Sequence, residues 1–171
     1  MRRLMIFLVF TLTFAFASLI VSAQTQAFTS DKVDYILELP SATWRVISEP
    51  NEINKHAELI YGDRNDGYLR IHKEVIDASA TLREIAQRDQ DQKLRFLPGY
   101  VDGKEENFAG RLNGVTFSYE FTNGGKPMAG RIYYLQADNR TIYTLRFTGL
   151  RDKLSRIRNQ TDLIARSFRM K

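Results

Sequence analysis

The chain of 171 residues carries no cysteine, 43% hydrophobic residues and a formal charge of +5. Its length suits one domain able to bury about 68% of its unfolded surface, and the missing thiols exclude disulfides and thiolate metal sites. Charge is divided along the chain: Gln24 to Gly125 holds 12 Lys and Arg against 17 Asp and Glu, whereas Lys126 to Lys171 holds 11 against 3.

The opening MRRLMIFLVFTLTFAFASLIVSA has the form of a secretory signal peptide. Arg2 and Arg3 precede an uncharged run from Leu4 to Val21, and small residues lead to a cleavage point after Ala23. The run is also long enough to cross a bilayer, so an uncleaved N-terminal anchor is the alternative. Either way the domain is exported, periplasmic or extracellular. No second apolar span follows, so the mature part is not expected to span a membrane. Residues 24–32 read as a polar leader and residues 33–171 as a single domain.

In "VDYILELPSATWRVI", Tyr35, Leu37 and Leu39 alternate with Asp34, Ile36 and Glu38, which predicts a strand ended by Pro40 and followed by a second extended piece. "HAELIYGDRNDGYLRIHKEVI" reads as a hairpin about a loop dense in Gly, Asn and Asp. A helix follows in "SATLREIAQRDQDQKLRFLPGY": Thr81 and Glu84 form a capping box, Pro98-Gly99 ends it, and its thin apolar stripe predicts a surface helix with one buried edge. In "NFAGRLNGVTFSYEF", Asn113-Gly114 predicts a two-residue turn that sets Phe108 opposite Tyr119 and Gly110 opposite Phe117. "TNGGKPMAG" reads as a flexible connection. A clean helical stripe of Leu150, Leu154, Ile157, Thr161, Ile164 and Phe168 closes the chain.

The stretch "GRIYYLQADNRTIYTLRFTG" decides which residues share a face. A turn at Asp138-Asn139 pairs Ala137 with Arg140. It gathers Ile132, Tyr134, Tyr143, Leu145 and Phe147 on one apolar face, and sets Arg131 across from Arg146 on the other. Like charges so placed destabilise a sheet unless a carboxylate or an external anion relieves them. An internal acid or splayed side chains is the expected relief; an anionic ligand is the sharper reading. Nucleic acid is not expected as that ligand, because the chain is exported and has no RNP-like or helix-turn-helix signature.

Catalytic constellations are missing. The sequence has no HExxH, Cys/His cluster, EF-hand loop or GxSxG, and "GGKP" has proline where a P-loop needs Ser or Thr. Glu105 and Glu106 are adjacent strand residues pointing to opposite faces, so they cannot share a proton. His56 and His72 lie on opposite strands of one hairpin and can approach, though structural or surface roles are expected. No cofactor, metal or catalytic residue is assigned. The basic end, with Arg156, Arg166 and Arg169, offers a candidate docking surface for an anionic polymer, lipid or acidic protein.

The order "YILELPSATWRV", acidic hairpin and helix, "GRLNGVTFSYEF", "RIYYLQADNRTIYTLRFTG" and a terminal helix ending "IARSFR" resembles the PsbP-like family over most of residues 33–169. That family includes the extrinsic protein of the oxygen-evolving photosystem and exported bacterial proteins of unknown role. The resemblance implies an α+β fold, an antiparallel sheet with helices on both faces in an α/β/α sandwich. It also implies a binding or assembly module rather than an enzyme. No metal-binding or photosystem-docking residue carries over. The expected function is thus an exported, non-enzymatic, monomeric accessory domain contacting an envelope protein or anionic surface through Arg131, Arg146, Arg156, Arg166 and Arg169. The alternative is a small-ligand carrier with a pocket between sheet and helix lined by Trp44, Tyr100 and Tyr133.

Overall fold

Strand β1 (Gln26–Phe28) pairs antiparallel with β2 (Tyr35–Leu39) in the computed structural model, which describes residues 25–171. The expected signal peptide, with cleavage after Ala23, lies outside the described residues. Among the described residues no helix is long and apolar enough to cross a membrane. Phe28 is buried, so part of the stretch read as a polar leader packs on the domain.

Seven further strands follow: β3 (Trp44–Ser48), β4 (Ala57–Tyr61), β5 (Asp63–Val75), β6 (Val101–Phe108), β7 (Gly114–Asn123), β8 (Lys126–Gln136) and β9 (Thr141–Leu150). They form one antiparallel sheet in the order β3-β4-β5-β9-β8-β7-β6. The alternation that predicts β2 is realised, with Tyr35, Leu37 and Leu39 buried and Ile36 and Glu38 partly exposed.

Helix α1 (Leu82–Asp89) starts on the predicted capping box, Thr81 Oγ1 accepting from the Glu84 amide while the Glu84 carboxylate accepts from the Thr81 amide at 2.7 Å. It runs on into a π-helical turn, Gln90–Leu94, that buries Gln90 and Leu94. Loss of the cap in Thr81→Ala is expected to cost about 1 kcal/mol and lower the melting temperature by about 2–4 °C, measurable by thermal unfolding.

The terminal helix departs from expectation. Ile157 leaves helical geometry (φ −100°, ψ 11°) and divides it into α2 (Arg151–Arg156) and α3 (Arg158–Ser167). The stripe survives the break: Leu154, Ile157, Thr161, Ile164 and Phe168 are all buried. Arg169 then leaves the helix for β10 (Arg169–Met170), which pairs with β2.

Two hairpin registers also differ. Phe108 pairs with Gly114, not Tyr119, and Phe117 pairs with Glu105, not Gly110. A two-residue I′ turn needs positive φ at both central residues, and neither Asn113 nor Gly114 adopts it. The connection instead docks on α3, the Arg111 amide donating to Arg166 O at 3.0 Å while Gly110 packs on the Arg166 backbone. The tight turn lies in the segment read as flexible: Gly124 and Gly125 have φ of 55° and 74° between paired Asn123 and Lys126.

The turn at Asp138-Asn139 is longer by one register step. Its carboxylate accepts from the Arg140 amide at 2.7 Å, an Asx turn, and the Ala137 amide donates to Thr141 O. Gln136 therefore pairs with Ile142, Arg131 with Phe147 and Ile132 with Arg146. A slip of one residue exchanges the faces of one strand relative to its partner. Arg131 and Arg146 are thus on opposite faces of the sheet, and the expected Arg131–Arg146 opposition does not occur.

One face carries Tyr133, Leu135, Tyr143, Leu145 and Phe147 and is covered by β1, β2, α2 and α3. The other carries Ile132, Tyr134, Ile142, Phe117 and Tyr119 and is covered by α1. Both faces are buried, which is the α/β/α sandwich implied by the resemblance.

Candidate functional site

Where β6 and β7 meet the α3-covered face, the aromatic side chains give way to small and polar ones. Ser118, Glu120, Ala129 and Arg131 share that face, and Gly103 sits against the Ser118 backbone at an irregularity in β6. The space they leave beside α2 is a cleft of about 420 Å3. It lies between sheet and helix, as the carrier alternative required, but with a different lining.

Arg131 forms its floor and is only 8% exposed. Its Nε donates to Tyr133 Oη at 2.7 Å and its terminal amine to Asp162 Oδ1 at 3.1 Å. Tyr133 Oη also donates to Asp162 and lies 3.0 Å from Thr161 Oγ1. Burial pushes the Tyr133 phenol well above its usual range, which keeps it a neutral donor to the carboxylate. Arg131 is therefore a fixed cation whose partners are set by the fold.

The rim is different. Arg151 pairs with Glu120 at 3.1 Å, Lys104 with Glu106 at 2.7 Å and Arg158 with Glu106 at 3.7 Å, all with cationic side chains more than half exposed. Such pairs are worth about 0–1 kcal/mol each, so an incoming carboxylate can replace the internal one at little cost. Val101, which lines the cleft, is an exposed apolar group.

The predicted site residues are dispersed. Arg131 alone of the five lines this cleft. Arg146 is on the α1 side of the sheet; Arg156 is exposed and paired with Asp152 at 3.8 Å. Arg166 covers the Phe108 ring and donates to Ala109 O, and Arg169 pairs with Glu38 at 3.1 Å. Trp44 and Tyr133 are core residues flanking Phe147, whereas Tyr100 lies on the other face beside Tyr119. These three do not share a pocket.

The charge asymmetry along the chain is largely cancelled in space. Arg151–Glu120, Lys153–Asp66, Arg158–Glu106 and Arg169–Glu38 each join the basic end to the acidic part. Lys104 escaped sequence reasoning, and Arg151 and Arg158 were legible only as members of the basic end; the fold alone brings the three to one rim. The usable signal was the small residues Ser118 and Gly130 in the otherwise aromatic strands β7 and β8.

No protein-family profile matches the sequence, and no curated protein matches it either. Solved structures do match its fold. Cyanobacterial PsbP (CyanoP) from Synechocystis sp. PCC 6803 superposes with a TM-score of 0.59 at 13% identity, over 89% of this chain and 95% of that one. The Saccharomyces cerevisiae Ran-binding protein Mog1p gives 0.63 at 9% identity, over 87% and 96%. LpqN, involved in cell envelope biogenesis of Mycobacterium tuberculosis, gives 0.56 at 13% identity, over 86% and 91%. Against a Bacteroides thetaiotaomicron VPI-5482 protein the chain spans about half the length, 49%. The fold is therefore PsbP-like.

Proposed function

We propose that the protein is an exported, non-enzymatic binding domain that docks an acidic segment of an envelope partner in the cleft between α2 and strands β6–β8. The observation that carries this reading is the convergence of buried Arg131 with the exposed Arg151, Arg158 and Lys104 on one cleft. Export rests on the signal-peptide form of residues 1–23. The fold relatives are in keeping with it, since they include a Ran-binding protein and a protein involved in cell envelope biogenesis. The basic terminal helix acts as one wall of the cleft rather than as a surface in its own right.

A small-ligand carrier would use the same cleft, whose volume falls within the range of such sites. Small-ligand pockets bury most of the ligand, however, and these rim pairs stand in solvent, a geometry suited to side chains arriving from a second surface.

The test is affinity capture from envelope extract at low and at physiological salt. The expected result is a salt-sensitive partner lost in Arg151→Glu/Arg158→Glu and retained in Arg166→Glu/Arg169→Glu, since contacts between exposed charges are screened by salt. A partner captured equally by both variants would remove the cleft from the interface.

A further inference from the structure

The second face of the sheet holds a cluster that the α2 cleft does not use. Helix α1 packs over Ile132, Tyr134, Val115 and Phe117 and leaves the β4–β5 side of that face uncovered. There the register sets Arg70 directly opposite Arg146, with Glu58 beyond Arg70. The next row holds His72 opposite Thr144, and the His56 ring stands 4.5 Å from that of His72, centroid to centroid. Lys93, from the π-helical turn, completes a cleft of about 270 Å3.

The two arginines are unequally satisfied. Arg70 donates to Tyr68 Oη at 3.1 Å and to Glu58 at 3.4 Å. For Arg146, Asp89 is the one carboxylate within 4.0 Å among the described residues, and at 3.9 Å it is beyond hydrogen-bonding reach. Asp89 is already committed, accepting from Lys93 Nζ at 2.7 Å and from Tyr134 Oη at 3.2 Å. Glu74 is likewise engaged, by Arg88 at 2.5 Å. The Nδ1 atoms of His56 and His72 are buried with no hydrogen-bond partner. Directly opposed like charges disfavour a sheet unless something of opposite sign lies between them, and a guanidinium with free donors suits an oxyanion.

We propose that this cleft binds a small tetrahedral oxyanion, of the size and charge of phosphate, between Arg70 and Arg146, with His56 and His72 as its protonation-dependent wall. The volume admits one such ion with a few waters and excludes a large ligand. Burial holds both imidazoles below their ordinary range, and so neutral at neutral pH. The charged groups facing them are Glu58 from β4, Arg70 and Glu74 from β5, Arg146 from β9, and Asp89 and Lys93 from α1 and its π turn. An anion in the cleft stabilises the imidazolium form, so binding takes up protons and tightens as pH falls.

Calorimetric titration of the purified protein at low ionic strength tests this, with inorganic phosphate to establish the class and sulfate to isolate the pH effect. Sulfate stays dianionic between about pH 5 and about pH 8, so any change in its affinity belongs to the protein. The expected result is binding of both ions, with sulfate about tenfold tighter at the lower pH and weakened about tenfold by Arg146→Gln. Arg70→Gln, at a more exposed position, weakens it in the same direction, and Arg140→Gln, in a distant turn, leaves it unchanged. Melting curves confirm that each variant is folded. Failure of sulfate to bind at the lower pH, equal affinity at both pH values, or binding that survives Arg146→Gln in a folded protein would overturn the proposal. None of these outcomes bears on the α2 cleft, which shares no residue with this one.

Discussion

Phe168→Ala is expected to lower the free energy of unfolding by about 3–5 kcal/mol, the cost of emptying a large aromatic site in a packed core. Phe168 follows the last turn of α3 in an extended conformation and is 0% exposed. Its ring stacks on Tyr35 at 4.8 Å and lies 5.0 Å from Tyr143, so one side chain joins the small sheet, the large sheet and the terminal helix. It also sets the direction in which Arg169 and Met170 leave to pair with β2. Urea unfolding measures the loss, and Phe168→Leu should fall between the two because it fills part of the space. A loss below about 1 kcal/mol would mean that the C-terminal turn is not packed as described.

Gly130→Ala is the second large effect expected, at about 1–3 kcal/mol. Gly130 pairs with Tyr119, and a Cβ at Gly130 would overlap the Tyr119 ring, itself only 2% exposed. The ring lies in the aromatic row with Phe117 and Phe121, at 6.2 and 5.7 Å, so it cannot turn aside freely. In a Tyr119→Leu background the ring is gone, and the penalty of Gly130→Ala should fall by more than about 1 kcal/mol, a coupling that a double-mutant cycle reads directly. Additive losses would show that the glycine serves backbone freedom and not the ring.

Glycine beside a large ring is a relation the sequence suggests, but it places the wrong pair. Gly110 and Phe117 are assigned to each other if Asn113-Gly114 is taken as the turn; Gly130 and Tyr119 are the pair that forms. Opposed arginines follow the same course. Arg146 does face another arginine across a ladder, but that arginine is Arg70 on β5, not Arg131 on β8. In each case the local chemistry is legible and the partner is not. Connection length decides it: the Asx turn at Asp138 adds one register step between β8 and β9, and docking of the 109–113 connection on α3 sets five residues where a two-residue turn was expected.

The candidate site was legible only in part. Arg131 stands out as a cation in an apolar run, and the structure places it in a cleft between sheet and helix. Its companions Lys104, Arg151 and Arg158 lie 20 or more positions away in sequence, on β6, α2 and the start of α3; the last two stand in the basic end, but nothing local ties any of them to Arg131. The cross-strand contact of His56 and His72 depended on a hairpin register that "GDRNDG" left open: the stretch reads as a loop, but only Gly62 lies between the strands and Asp63 to Gly67 begin β5, with a register shift where they meet β4.

By itself the sequence determined what short-range physics controls. The alternation of β2 follows from side chains pointing to opposite faces, the start of α1 from a capping box, and the buried stripe of α2 and α3 from helical spacing. These suffice for an α+β sandwich. The tertiary structure alone decided the hairpin registers, the break at Ile157, the burial of Asp89 and which arginines meet. Those outcomes depend on contacts between residues far apart in the chain, where one extra residue in a turn exchanges the two faces of a strand.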